Sequence, residues 1–255
     1  MLRMRGKIVV FANQKGGVGK TTSAVNIGAY AAESGKRVLL IDFDPQGNLS
    51  SSLGSDKDKP GIYQVITGQV PLEEAVQETT VRNLCVVSSD INLAGANVEL
   101  IDAEEREYFL KKVLEKHKEA WDYIFIDCPP SLGILTLNGL TAAQQVIIPM
   151  QCEYFALEGL TLLLRTIQQV QKTLNRSLVL GGIVFTMYDS RTRLAHEIVQ
   201  EVTSYFKDKV FRTVIPRNVK LSEAPSHSVP INQYNTTCLG AVSYEKLTQE
   251  VLQRV

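Results

Sequence analysis

A doubly wound, mostly parallel β-sheet flanked by helices is the fold class that this sequence predicts, on two observations. Short apolar runs, several of them apolar at nearly every position, alternate with segments of helical periodicity. Runs of that kind are strands covered on both faces, and strands separated by helices build βαβ units. The 255 residues suit one domain, residues 1–255, with a substantial core.

In chain order the predicted strands are Lys7 to Ala12, Arg37 to Ile41, Leu84 to Val87, Tyr123 to Ile126, Val146 to Met150, Gly182 to Thr186 and Val210 to Ile215. Between them, Phe109, Leu110, Val113 and Leu114 mark one face of a helix from Arg106 to Lys118. Leu157, Leu160, Leu164, Ile167 and Leu174 do the same for a second helix, and Ala195, Val199, Val202 and Phe206 for a third. Tyr244 to Val255 reads as a last helix. The segment Gly47 to Gly61 is polar and rich in Gly and Ser, and it reads as a mobile loop placed where a switch would be.

The 27 basic and 27 acidic side chains cancel, so nucleic acid or an acidic membrane has no global field to follow, and such binding needs a local patch or assembly. Met1-Leu2-Arg3-Met4-Arg5-Gly6 leads straight into an apolar run without a signal peptide, and no segment has the roughly 20 apolar residues of a membrane span. A cytoplasmic protein is expected. Cys85, Cys128, Cys152 and Cys238 are scattered as reduced thiols would be, and His117, His196 and His227 have no metal-ligand spacing.

The densest motif follows the first strand. Lys15-Gly16-Gly17-Val18-Gly19-Lys20-Thr21-Thr22 matches G-x-x-x-x-G-K-[ST] except at its first glycine, where Gln14 stands. Glycines let successive backbone N–H groups turn toward phosphate oxygens, and the helix that opens at Lys20 adds its positive end. Lys20 is expected on the β and γ phosphates of ATP, and Thr21 on Mg²⁺. Ala24, Ile27, Gly28 and Ala31 then give that helix a small-residue face for close packing.

Two strands end in carboxylates. Arg37 to Ile41 runs into Asp42-Phe43-Asp44-Pro45, and Trp121 to Ile126 into Asp127-Cys128-Pro129-Pro130. At the C-terminal ends of parallel strands such groups stand at the mouth of the nucleotide crevice. Asp127 completes a Walker B pattern and is expected to hold Mg²⁺, with Asp42 supporting the metal shell and the loop; Pro129-Pro130 reads as a second switch.

With its second lysine at position 15, the loop resembles the deviant Walker A motif of the ParA/MinD family of P-loop ATPases. Gln151 to Gly159, Thr186 to Asp189 and Ile215 to Ser226 are similar to the small chromosomal ParA subgroup, so the resemblance covers nearly the whole chain. It implies that Lys15 reaches the phosphates of ATP in a partner subunit, that the homodimer depends on ATP, and that Asp44 positions the attacking water. Catalysis would then rest on Lys15, Lys20 and Asp44. Adenine packing is implied near Met187, Pro216 and Asn218.

The resemblance also implies sequence-independent DNA binding by the ATP dimer, release on hydrolysis, nucleoid association of the ATP form, and a centromere-binding partner of the ParB type. Between Thr186 and Lys220 seven basic side chains face four acidic ones, and Arg191, Arg217 and Lys220 are the candidate DNA contacts. Ser226-His227-Ser228-Val229-Pro230 departs from the family, which carries a basic residue there. The alternative is a MinD-like membrane-surface ATPase; its short basic amphipathic tail has no counterpart after the predicted last helix. An electron-transfer protein of the nitrogenase iron-protein kind would need bridging cysteines, and only Cys128 lies near the nucleotide motifs.

Overall fold

All but one of the apolar runs become strands. In the computed structural model, which describes residues 6–100 and 102–255, they are β1 (Lys7–Phe11), β2 (Val38–Asp42), β4 (Leu84–Val87), β5 (Tyr123–Asp127), β6 (Gln145–Gln151) and β7 (Val179–Thr186). Met1 to Arg5, on which the reading of the N-terminus partly rested, lie outside the described residues. The sheet order is β3-β4-β2-β5-β1-β6-β7, where β3 (Val76–Glu78) is a short edge strand. Every neighbouring pair is parallel except β3 with β4. The strands from β2 to β5 lie on one side of β1, and β6 and β7 on the other, so the order reverses at β1, where such sheets bind ligands.

Alternation explains the near-continuous apolar runs. Ile8 and Val10, Leu39 and Ile41, and Ile124 and Ile126 enter one core, while Val9 and Phe11, Val38 and Leu40, and Tyr123 and Phe125 enter the core on the opposite face. A strand with two dry faces has no polar positions to spare. The helix Lys20–Glu33 lies on the second face with Ala24, Ile27 and Ala31 buried. A Cβ at Gly28 would stand 2.8 Å from Leu40 Cδ2, so glycine is what allows this approach.

Three expectations need correction. Val210 to Ile215 forms no strand. Phe211 N donates to the Ile183 carbonyl (2.9 Å) and Ile215 N to the Phe185 carbonyl (2.8 Å), so the longer stretch between them must bow away from β7. The carboxylate of Glu250 accepts from the released amides of Arg212 and Thr213, both at 2.9 Å, which stabilises the interruption. The supposed loop after Gly47 begins with a helical turn, Asn48–Ser52, whose Leu49 is buried. The last helix starts earlier than predicted, at Leu239, because the Cys238 thiol caps its first turn by accepting from Ala241 N (3.4 Å).

The other predicted helices stand close to their expected places at Phe109–His117, Ala156–Thr173 and Arg193–Phe206. His117 closes the first of these and its Nδ1 meets Glu73 Oε1 at 3.0 Å. Among the described residues no helix is long and apolar enough to cross a membrane.

Candidate functional site

The loop between β1 and the helix Lys20–Glu33 is held from the ends of two strands, β6 and β7. Asn13 Oδ1 accepts from Lys15 N (3.0 Å), and its Nδ2 donates to the Pro149 carbonyl on β6 (2.7 Å). Gln151 Nε2 donates to the Gly17 carbonyl (2.8 Å), and Thr186 Oγ1 at the end of β7 donates to the Val18 carbonyl (2.7 Å). Gly17 and Gly19 sit at φ 71° and 82°, in the left-handed region where a side chain is strained. Gly19 caps the helix without a side-chain acceptor, so the first amides remain for a ligand.

Two charged groups and a hydroxyl lie behind this loop. Thr21 Oγ1 donates to Asp127 Oδ2 (2.6 Å), while Asp127 Oδ1 is buried with no hydrogen-bond partner among the described residues. Lys20 is 6% exposed, and its Nζ donates to the Lys15 carbonyl (3.2 Å). Burial lowers the Lys20 ammonium, against the pull of Asp127, Cys128 and Asp44. Burial and then the charge of Asp42 raise the Asp127 carboxyl, which Thr21 and Lys20 hold down. Charges withdrawn from water this far are poised for partners that a phosphate chain and a cation supply.

Asp42 and Asp127 stand opposite each other in the register of β2 with β5, yet only one has an oxygen to offer. Asp42 Oδ2 accepts from Ser50 N (2.8 Å) and Ser50 Oγ (2.6 Å), and its Oδ1 from Asp44 N (3.2 Å). Burial pushes this carboxyl up to about 6 against those bonds. Asp42 therefore ties the Asn48–Ser52 turn to the sheet, the loop support expected of it, and its oxygens are taken by these donors rather than turned to the cleft. Asp44 does line it, is 7% exposed, and accepts from Gln46 N with Oδ1 (3.0 Å).

The cleft is about 440 Å³, bounded by Gly16, Gly17, Gly19, Lys20, Thr21 and Thr22 on one side. Asp44, Gln46, Pro130, Met187 and Pro225 face them. Of the adenine candidates, Met187 is present; Pro216 instead bridges Tyr188, and the Asn218 side chain caps the turn Val219–Glu223 through Lys220 N (3.0 Å). Pro225 lies in the family-like segment Ile215 to Ser226, but no spacing rule brings it to the cleft. Lys15 points its ammonium at Glu153 in the same chain. Glu153 lies in the family-like segment Gln151 to Gly159, but spacing alone does not pair it with Lys15.

Magnesium fits the donors. The hard oxygens of Thr21 and the free Asp127 Oδ1 supply part of a shell, and among the described residues no group of three or more His, Cys, Asp and Glu makes a full protein cage. A site completed by substrate phosphates and water is the usual form for this ion. Cys128 is buried beneath, its thiol pushed well up by burial and by Asp127, which keeps it neutral.

Arg217 N donates to the Tyr188 carbonyl (3.2 Å), which brings its segment beside Asp189 and Arg191, and the DNA candidates spend their charge differently. Arg191 grips Asp189 through Nε (2.9 Å) and Nη2 (2.7 Å), and Lys220 meets Glu223 at 2.8 Å. Arg217 is exposed and makes no ion pair among the described residues.

A family model described as an AAA domain matches residues 6–180. The chain is 59% identical over 98% of both lengths to a chromosome-partitioning ATPase Soj of Treponema pallidum. It is 52% identical to the sporulation initiation inhibitor protein Soj of Bacillus subtilis, covering 96% of this chain and 98% of that one. Among solved structures, a cobyrinic acid a,c-diamide synthase of Mycobacterium smegmatis with bound ATP analog and magnesium superposes with a TM-score of 0.87 at 41% identity, over 97% of this chain and 94% of that one.

Proposed function

The chain belongs to the AAA-domain family and within it to the Soj/ParA chromosome-partitioning ATPases, and on that premise we propose that its cleft binds and hydrolyses Mg-ATP to switch a DNA-binding dimer. The observation that carries the reading is the corner where Thr21, Lys20 and the unpartnered Asp127 oxygen converge. The loop amides and Lys20 would hold the β and γ phosphates, and Thr21 and Asp127 would hold Mg²⁺, which would neutralise charge on the phosphate oxygens. Asp44 orients a water for attack on the γ-phosphorus. As the new P–O bond forms, the bond to the bridging oxygen breaks, ADP leaves with the electron pair, and the water's proton passes to an oxygen of the product phosphate.

Lys15 serves a partner's nucleotide once it leaves Glu153, which makes ATP the adhesive of the dimer. Tyr154 and Phe155, next to Glu153, are 78% and 67% exposed, an apolar pair suited to being covered by a second copy. Dimerisation doubles the face carrying Arg191, Arg217 and Lys220, and two weak patches acting together bind far more tightly than one. A ParB-type partner would stimulate hydrolysis and so time release.

The amidation named for the Mycobacterium smegmatis protein is not adopted, because the relatives named Soj match at higher identity over the same span, and a shared fold does not carry an activity. The test is DNA retention with and without Mg-ATP across a salt series. Steep salt dependence seen only with ATP is the expected result, and equal retention without nucleotide overturns the switch.

A further inference from the structure

A second cavity, about 490 Å³, lies against the turn Asn48–Ser52 and shares two lining residues, Gln46 and Ser51, with the nucleotide cleft. Both are exposed, and neither side chain has a hydrogen-bond partner among the described residues. The partition between the two spaces therefore consists of side chains that nothing pins. The second cavity suits an oxyanion. Lys57 and Lys59 line it without ion-pair partners among the described residues. Ser55 Oγ and Ser89 Oγ, on two of its lining residues, are buried hydroxyls with no partner among the described residues. Its two carboxylates are turned to local donors: Asp56 accepts from Asp58 N (2.9 Å), and Asp90 from Asn92 N (2.9 Å) and Asn92 Nδ2 (3.0 Å).

The chemistry of the cleft supplies such an anion at this wall. In an in-line displacement the product phosphate ends on the side from which water attacked. Asp44, which orients that water, is bonded to Gln46 N, so phosphate is delivered beside Gln46. In the proposed ATP dimer a second copy would cover the mouth of the cleft, and the product would need another way out. We propose that the second cavity is a transient site and exit route for inorganic phosphate, gated by Gln46 and Ser51. This rests on the reading of the cleft as a Mg-ATP hydrolysing site within a dimer.

The test separates cleavage from release in the full-length protein with Mg-ATP and DNA. A single turnover is followed by rapid chemical quench for cleavage and by a fluorescent phosphate sensor for release, in the wild type, in Ser89→Leu, which fills the cavity, and in the double variant Lys57→Glu with Lys59→Glu. Release is expected to slow by roughly fivefold while cleavage stays within about twofold. Phosphate held longer should also take up more oxygen from isotopically labelled water before it leaves. Release that keeps pace with cleavage in the folded variants overturns the exit route. Should Ser89→Leu fail to fold, the surface lysine pair decides alone. A wild type that cleaves no ATP sinks the underlying reading instead, a result distinct from normal cleavage with normal release.

Discussion

The phosphate corner and the basic face use charge in opposite ways. At the corner Lys20 and Asp127 are 6% and 0% exposed, few in number, and fixed by strand ends. On the basic face the Arg191 side chain is 86% exposed and already paired with Asp189, and Lys220 is paired with Glu223. Buried charges act one by one, because nothing screens them or replaces them. Exposed charges act as a sum that salt erodes, so each member is worth little alone.

The largest effect should come from Lys20→Ala, which removes the buried ammonium of the corner: ATP affinity should fall by about 1000-fold or more, roughly 4 kcal/mol, by calorimetric titration. Near-normal affinity would break the assignment of the loop. Asp44→Ala should still bind ATP but cleave it about 100-fold more slowly and accumulate a dimer on DNA. Light scattering that finds only monomer with ATP would count against it. Between the two opposed aspartates, Asp42→Ala should cost about 2 kcal/mol of stability in a denaturant melt, since the Ser50 amide and hydroxyl lose their acceptor. Asp127→Asn should leave the melt closer to wild type and abolish the effect of Mg²⁺ on nucleotide affinity; equal melts for both variants would erase the distinction drawn between them.

On the basic face, Arg217→Glu should weaken DNA binding by about tenfold and flatten its salt dependence while leaving the ATP dimer intact. Unchanged mobility shifts would make Arg217 an ordinary solvated residue. The smallest effect belongs to a pair far from either region. Arg37 beside Asp122 holds that carboxyl below the usual range through its hydrogen bonds. With the folded value depressed, the pair's contribution is full above the unfolded carboxylate pKa and is lost as pH falls through the folded one. Because both side chains are partly exposed, Asp122→Asn should cost less than about 1 kcal/mol, and melts of the two proteins should converge in acid.

Legibility divides along the same line as the charges. Gly17, Gly19, Lys20, Thr21 and Asp127 could be read because each belongs to a contiguous motif or ends an apolar run, and the sheet brings those ends together. Asp44 was legible only through family resemblance. Asp42 carries the same local signal as Asp127, and its different role is set by Ser50, a residue with no signal of its own. The strand expected at Val210 to Ile215 failed for a similar reason: its apolar pattern is genuine, but Glu250 takes two of its amides.

By itself the sequence determined the period of burial along each strand, the phosphate loop with its two glycines at positive φ, and the carboxylates at the strand ends. These depend on neighbours a few residues away, where backbone sterics and alternation leave little choice. The tertiary structure alone decided that Lys15 turns to Glu153, that Ser50 saturates Asp42, that Pro225 joins the cleft, and that Gln46 and Ser51 divide two cavities. Those contacts depend on the packing of whole elements, and most join residues far apart in the chain, which no local pattern encodes.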